Sequence, residues 1–407
     1  MAIRHYKGPL GVFDYDDTEF KLERFIEWNE DYEQEDVFCL RYIGKETDGS
    51  KIKIPEGIKF CTRMFMNSPI ETPPVIPDGV IDCEGMFDGC EALKEPPVIP
   101  DSVINCNEMF RWCKSLKRAP KIPASVRYCK GMFMGCTSLE EPPVIPNGIK
   151  DISRFLSGCK NLKYAPVIPD GVINCESSFC GCSSLKKAPK IPGSVKNCWR
   201  MFCECEALTE PPIMSEGVED CNAMFSDCIS LVKPVKIPDS VIYCEHMFSG
   251  CKSLKYAPAM PRNVAYCRNM FKDCVALQRP PIIPANIEGF TPERLKSIEN
   301  SLDDEAGYMS MFQGCSFESR LRRWGTHTFS NEELAVLFQG KEVTLKGYKT
   351  RGGKVIDITG KFDSYVIKNG ETRFGFVRTD LEKTKRKGFS DLTAKSEKQF
   401  QDDMSVA

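Results

Sequence analysis

The sequence predicts an α/β solenoid of 23-residue coils, each with one short strand and one short helix, because three residue types repeat at this constant period. A first cysteine recurs, with Ile152 in one slot, as Cys83, Cys106, Cys129, Cys175, Cys198, Cys221, Cys244 and Cys267. A second recurs as Cys90, Cys113, Cys136, Cys159, Cys182, Cys205, Cys228, Cys251 and Cys274. Phenylalanine recurs between them from Phe87 to Phe271, with Leu156 as the exception, and leucine follows them from Leu93 to Leu277.

The predicted helix of each coil follows from apolar spacing. In the coil that begins at Cys106, the apolar residues continue with Met109, Phe110, Cys113 and Leu116. This i, i+3, i+4, i+7 spacing is typical of one face of a helix or helical turn.

The predicted strand lies in the proline-rich half of the coil. Each proline biases the preceding residue toward extended backbone, but it also removes a backbone donor. We therefore expect only two or three ladder residues per coil, centred on pairs such as Val98–Ile99 and Lys121–Ile122. Ile99 and its equivalents are always aliphatic and should point inward, which places Val98 and its equivalents outward.

The pattern MFxGCxSL…IPxSV over residues 55–317 resembles the bacterial surface-antigen (BspA-like) class of leucine-rich repeats. The resemblance implies a right-handed, curved leucine-rich-repeat solenoid with short strands on one face. Residues 1–54 are predicted to form an N-terminal cap. A capping helix is expected near 291–305, where Thr291 is an N-cap candidate and Pro292 suits the first helical position.

The C-terminal part has a different composition and predicts a small α+β module over 325–378, followed by a charged tail over 379–407. A capping box, Ser330 with Glu333, marks a short helix at its start. The stretch GKEVTLKGYKTRGGKVIDITGKF is similar to the short C-terminal repeat of type IA topoisomerases. That similarity implies nucleic-acid contact through Lys341, Lys346, Lys349, Arg351 and Lys354; the alternative is a solvated lysine-rich β module.

Bulk composition narrows the function classes. The 407 residues carry a formal net charge of −2, which argues against a globally electrostatic nucleic-acid or membrane binder. The N-terminal residues contain no apolar run long enough for a signal peptide or a membrane span. We therefore expect a cytoplasmic protein with free thiols, no membrane association and no cofactor.

The 22 cysteines have several interpretations. Most occupy the two repeating phases, where a buried thiol acts as a small hydrophobe that stacks from coil to coil. Disulfides between coils fit the spacing but need an oxidising compartment. A metal site is the sharper alternative, and its candidate ligands are Cys180, Cys182, Cys203 and Cys205.

One acidic motif suggests an enzyme. Asp14, Asp16 and Thr18 resemble the nucleophile motif of haloacid-dehalogenase-type phosphatases, whose chemistry needs two carboxylates and Mg²⁺. The repeat begins near residue 55, where the rest of such a domain should follow. We therefore expect a surface acidic turn and no enzymatic activity.

The outward row predicts the binding surface for a partner. An exposed apolar strip marks a binding site more often than a neutral surface, and neighbouring lysines and tyrosines suit an acidic or amphipathic protein. The alternative is that the lysines only keep the array soluble. The predicted partner-binding residues are Lys94, Val98, Lys117, Arg118, Lys121, Val144, Lys163, Tyr164, Val167, Lys186, Lys190, Ile213, Lys236, Lys255 and Tyr256.

The sequence thus predicts a non-enzymatic protein–protein interaction scaffold. The alternative is a nucleic-acid-associated accessory protein of a phage or mobile element that acts through the C-terminal module. The oligomeric state is left open.

Overall fold

The structure, a computed structural model, describes residues 3–28, 34–283, 311–318, 321, 323–325, 327–350, 353–367 and 372–380. The helix predicted near 291–305 lies outside these residues, as does the predicted tail beyond residue 380. Among the described residues, no helix is long and apolar enough to cross a membrane.

Two antiparallel hairpins begin the chain: β1 (Ile3–Gly8) with β2 (Gly11–Asp16), and β3 (Phe20–Trp28) with β4 (Gln34–Tyr42). A 3₁₀ turn over Gly49–Lys51 leads into the repeats. The hairpins contact the first coil directly, because the Tyr42 N–H donates to the Met64 carbonyl and the Lys59 N–H donates to the Leu10 carbonyl, both at 2.8 Å.

The C-terminal part contains both helix and sheet. Its elements are β5 (Arg323–Trp324), β6 (His327–Thr328), α1 (Asn331–Phe338), β7 (Val343–Lys349), β8 (Val355–Val366) and β9 (Thr372–Arg378). Strands β7, β8 and β9 form one antiparallel sheet in that order. The predicted capping box is confirmed, since the Glu333 N–H donates to Ser330 Oγ and the Ser330 N–H donates to the Glu333 carboxylate.

The coils contain turns where the sequence predicted a short helix, and that prediction is wrong for the described coils between residues 58 and 283. The segment from Cys83 to Cys90 consists of successive turns in which Met86, Asp88 and Cys90 donate to the carbonyls three residues earlier. Gly85 and Gly89 have φ angles of +55° and +72°, so the backbone reverses its hand twice within eight residues. An α-helix cannot continue through such residues.

Adjacent coils are joined by backbone hydrogen bonds along these turns. Cys83, Gly85, Phe87 and Gly89 each donate an N–H to the carbonyl 22 residues later, at 2.7–2.9 Å. Parallel bridges such as Asp82↔Asn105 add contacts just before the first cysteine. The ladder predicted at the Ile99 phase is present as a bridge only between Ile191 and Met214 among the described coils, because prolines flank most of these positions.

The core contains continuous columns of identical side chains. From Phe65 to Phe133, the rings of neighbouring coils stack at 5.6–5.7 Å between centroids with interplanar angles of at most 10°. Leu156 interrupts the stack, and Phe155 from the preceding position fills the gap edge-on to Phe133 at 5.4 Å.

Both ends of this column are covered by aromatic side chains. At the N-terminal end, Phe20 and Tyr42 pack on Phe65, with centroid distances of 6.4 and 5.3 Å. At the other end, Phe312 stacks on Phe271 at 5.9 Å and on Phe338 of α1 at 5.4 Å. The C-terminal helix and sheet thus close the core of the solenoid.

The domain boundaries given by the sequence stay predictions.

Candidate interaction surface

The proline-rich half of each coil presents one aliphatic side chain inward and its neighbour outward. Ile99 is 5% exposed, whereas Val98 is 86% exposed. Extended backbone alternates its side chains in this way, so the burial agrees with the orientation expected from the sequence.

The outward side chains form an aliphatic row along the stacked coils. Its members are 71–86% exposed: Val75, Val98, Val144, Val167, Ile213 and Ile282. Val75 was missed by the sequence analysis, although its position 23 residues before Val98 was the signal for it. The exposed Lys121, Lys190 and Lys236 occupy the same phase in other coils and make no ion pair in the described part of the chain.

The neighbouring row of cations is partly neutralised within the molecule. Three of its cations contact a glutamate of the preceding coil: Lys94 with Glu71 at 2.5 Å, Arg118 with Glu95 at 3.0 Å, and Lys163 with Glu140 at 3.6 Å. Lys117, Lys186 and Lys255 are exposed, and Tyr164 is 67% exposed while Tyr256 is half-buried. The sequence alone did not show these pairs, because the glutamates lie a whole coil away.

A cleft of about 480 Å³ lies between the segments 164–170 and 187–193. It brings together Tyr164, Val167 and Lys190, three of the predicted partner-binding residues. Ser215, which stands where most coils have a proline, lines its edge.

The C-terminal lysines lie on a surface of mixed charge. Lys346 and Lys349 are exposed on β7, Lys354 is exposed before β8, and Lys341 donates to Gln339 Oε1 at 2.9 Å. Arg351 lies outside the described residues. The carboxylate of Asp357, on β8, accepts the Gly347 N–H beside these lysines at 2.8 Å. The described residues therefore lend no support to the nucleic-acid prediction.

The second repeating cysteine forms an inner thiol column. Each of its thiols donates to the backbone carbonyl of the aromatic position one coil earlier (leucine at Leu156), at 2.9–3.2 Å: Cys90, Cys113, Cys136, Cys159, Cys182, Cys205, Cys228, Cys251, Cys274 and Cys315. Burial raises the pKa of Cys90 to about 11 and that of Cys182 to about 12. These thiols are protonated structural donors, which agrees with the structural interpretation of the repeat.

The structure separates the four candidate metal ligands into two groups. Cys182 and Cys205 belong to the inner thiol column and donate to the carbonyls of Leu156 and Phe179. Cys180 and Cys203 lie outside it, and their sulfurs and a carboxylate oxygen of Glu204 all lie within 4.8 Å of one another. The sequence alone does not separate the core thiols, Cys182 and Cys205, from the outer thiols, Cys180 and Cys203.

The acidic motif near the N-terminus sits in an exposed hairpin. Asp14 pairs with His5 across β1 and β2 at 2.6 Å, and both side chains are more than 60% exposed. Asp16 accepts hydrogen bonds from the backbone N–H and hydroxyl of Thr18 in the turn that follows. These contacts are typical of a surface turn.

Comparison with known proteins agrees with the repeat. The family model for the BspA-type leucine-rich repeat region matches residues 58–186, 172–293 and 200–345. No curated protein sequence matches the chain.

Solved structures with similar folds include three bacterial proteins. A leucine-rich cell surface protein from Faecalibacterium prausnitzii is 20% identical, covering 78% of this chain and 93% of its own, with a TM-score of 0.41. Leucine-rich repeat proteins from Bacteroides ovatus (19% identical, 71% and 97% covered, TM-score 0.36) and Eubacterium ventriosum (16% identical, 80% and 97% covered, TM-score 0.38) are also similar. Because its family model matches more than half of the sequence, the chain belongs to the BspA-type leucine-rich repeat family.

Proposed function

We propose that this protein is a non-enzymatic scaffold that binds a protein partner through the aliphatic row and its unpaired lysines. Leucine-rich repeat proteins generally act as protein-interaction scaffolds. The observation that carries the proposal is the row itself, six aliphatic side chains that are each at least 71% exposed on one face. Aliphatic side chains grouped in this way on a protein surface are typical of binding sites.

The side chains of the aliphatic row indicate which kind of protein surface would fit it. Equivalent atoms in adjacent coils are about 5 Å apart, so the row offers a regular series of apolar contacts. Lys121, Lys190 and Lys236 place positive charge within that series, and the described residues pair none of them with a carboxylate. A protein surface that carries apolar side chains with carboxylates beside them complements both features.

The first experiment changes the apolar contacts. A row variant carries Val98→Glu, Val144→Glu and Val167→Glu, and a matched control variant carries Ile104→Glu, Ile173→Glu and Ile229→Glu at exposed positions of other phases. Each protein captures partners from a lysate of its source organism, and the partner retained by wild type is then purified for binding measurements. We expect the row variant to bind that partner at least about tenfold more weakly, and the control variant to bind as wild type does.

Equal affinity of the row variant and the control variant would contradict the proposal. Circular dichroism of both variants establishes that each is folded. The test is valid for any partner that the wild-type protein retains, because it compares surfaces of one molecule.

The second experiment changes the charges. Lys121→Glu, Lys190→Glu and Lys236→Glu together should abolish capture of an acidic partner and remove most of the salt dependence of binding. Lys130→Glu, Lys150→Glu and Lys252→Glu cause the same change in net charge at exposed positions of other phases and should bind normally. An equal loss in both triple variants would show that only net charge matters.

No contact among the described residues favours the nucleic-acid alternative. The cytoplasmic location remains a prediction.

A further inference from the structure

Cys180 and Cys203 occupy one phase of two adjacent coils, outside the inner thiol column. The neighbouring rings of Phe179 and Phe202 lie 5.5 Å apart between centroids, which gives the local coil spacing. At the same phase of earlier coils, Asp88 and Arg111 form an ion pair at 2.8 Å. Side chains at this phase therefore reach across to the next coil, and the spacing suits a disulfide.

A cation lies against the two sulfurs. Arg200 Nη2 is 3.6 Å from Cys203 Sγ and 3.8 Å from a carboxylate oxygen of Glu204. The pKa of Cys180 is lowered, because the Cys203 thiol donates a hydrogen bond to its sulfur and the Arg200 guanidinium stabilises the thiolate. The pKa of Cys203 is raised for the reciprocal reason, since it retains the shared proton.

Accessibility separates these two thiols further. Cys180 is half-buried, whereas Cys203 is 3% exposed and every other cysteine is buried. Cys180 is therefore the sulfur that a small oxidant in solvent can reach, and Cys203 is the sulfur beside it.

We propose that Cys180 and Cys203 are a modification site, at which hydrogen peroxide converts the two thiols into a reversible disulfide between adjacent coils. The Cys180 thiolate attacks one peroxide oxygen, the O–O bond breaks, and the hydroxide that leaves takes a proton to become water. The Cys203 sulfur then loses its proton and attacks the resulting Cys180 sulfenic acid. An S–S bond forms, the S–O bond breaks and a second water leaves, so two thiols are oxidised while one hydrogen peroxide is reduced.

The same cluster is less suited to a metal ion. Cys180, Cys203 and Glu204 supply three donor atoms, but the Arg200 guanidinium already contacts the sulfur and the carboxylate that a cation would need. A positive charge at this position favours a free thiolate and opposes a second cation. Zinc binding is therefore an outcome that the test must exclude.

The test treats the folded full-length protein with hydrogen peroxide, blocks the remaining thiols by alkylation and maps each cysteine by mass spectrometry without reduction. We expect a Cys180–Cys203 disulfide that dithiothreitol reverses. Cys182 and Cys205 act as the internal control, because they lie the same 23 residues apart but are buried. Cys203→Ser should stop the reaction at a Cys180 sulfenic acid, and serine is compatible with this phase because Ser157 and Ser226 occupy it in other coils.

Two variants test whether Arg200 speeds oxidation through its position beside the sulfurs or whether any arginine at this turn position would do so. Arg200→Gln should slow oxidation on the order of tenfold. Arg154→Gln is the matched control, because Arg154 has the same turn position and a similar φ of +57° but pairs with Glu176. Oxidation of Cys180 and Cys203 no faster than that of Cys182 and Cys205 would overturn the proposal, as would equimolar Zn²⁺ binding that protects both thiols from alkylation.

Discussion

Buried polar side chains of the coil interior differ in whether their hydrogen-bonding groups are satisfied. Each thiol of the inner thiol column donates to a carbonyl of the preceding coil, so cysteine supplies both apolar volume and a donor there. Ser178 is also fully buried, and its hydroxyl lies 2.9 Å from the Ile152 carbonyl and 2.8 Å from the Cys175 carbonyl. Ser153, equally buried, has no hydrogen-bond partner for its hydroxyl among the described residues.

Ser153→Ala and Ser178→Ala should therefore differ in their effect on the free energy of unfolding. Loss of the Ser178 hydrogen bond should lower the free energy of unfolding by about 1 kcal/mol. Removal of the unpartnered Ser153 hydroxyl should leave that free energy unchanged or raise it by up to about 1 kcal/mol. Urea denaturation of both variants measures the difference, and equal destabilisation by the two substitutions would contradict the assignment of partners.

The coil is a repeated pair of turns that requires two left-handed residues. The second of them has a φ between +58° and +77° in every described coil: Asn67, Gly89, Trp112, Gly135, Gly158, Gly181, Glu204, Asp227, Gly250, Asp273 and Gly314. At Gly158 an added Cβ would meet only the Gly135 backbone at 3.5 Å, an ordinary contact distance. The preference for glycine at Gly158 is therefore conformational and not steric.

Gly158→Ala should lower the free energy of unfolding by about 1 kcal/mol, the cost of a left-handed alanine. Ser157→Ala, one residue earlier in the same turn, is the control and should fall within about 0.5 kcal/mol of wild type. Thermal and urea unfolding of the two variants check this pair. A neutral Gly158→Ala would mean that the turn can relax its backbone.

The sequence predicted which faces of the coil are buried but not the conformation that buries them. Cys106, Met109, Phe110 and Cys113 point inward as expected, because two successive turns place the same four positions on one side as a helix does. The left-handed residues that exclude the helix were hidden, since Glu108 and Trp112 occupy those slots in this coil. Gly131 and Gly135, four residues apart in the next coil, were the visible signal.

For the candidate site, alternation around Ile99 was enough to locate the outward row, because it depends only on extended backbone. The pairing of Lys94 with Glu71 was not visible, because it depends on the register between coils. Cys180 and Cys203 were named as candidate metal ligands together with Cys182 and Cys205, because the sequence does not show that the latter two are core residues.

The whole molecule is a column whose two ends are closed by different structures. Phe20 of the N-terminal hairpins and Phe338 of α1 are each 2% exposed and cover opposite ends of the aromatic stack. In a solenoid each coil contacts only its neighbours, so the loss of an end contact destabilises the adjacent coil first.

Phe20→Ala and Phe338→Ala should each cost about 3–5 kcal/mol. Their effects should also be local: amide hydrogen exchange should increase around Phe65 in the first variant and around Phe271 in the second. Hydrogen-exchange mass spectrometry distinguishes the two patterns. Uniform loss of protection along the chain in both variants would show that the array unfolds as a single cooperative unit.

The regular columns of the core also mean that the length of the solenoid changes by whole coils. Because most coils present the same cysteine, methionine and phenylalanine side chains to the coils on either side, duplication of 23 residues would add a coil without a mismatched layer. Gene duplication can therefore lengthen the aliphatic row in steps of about 5 Å. The length of the proposed binding surface is set by an integer number of coils.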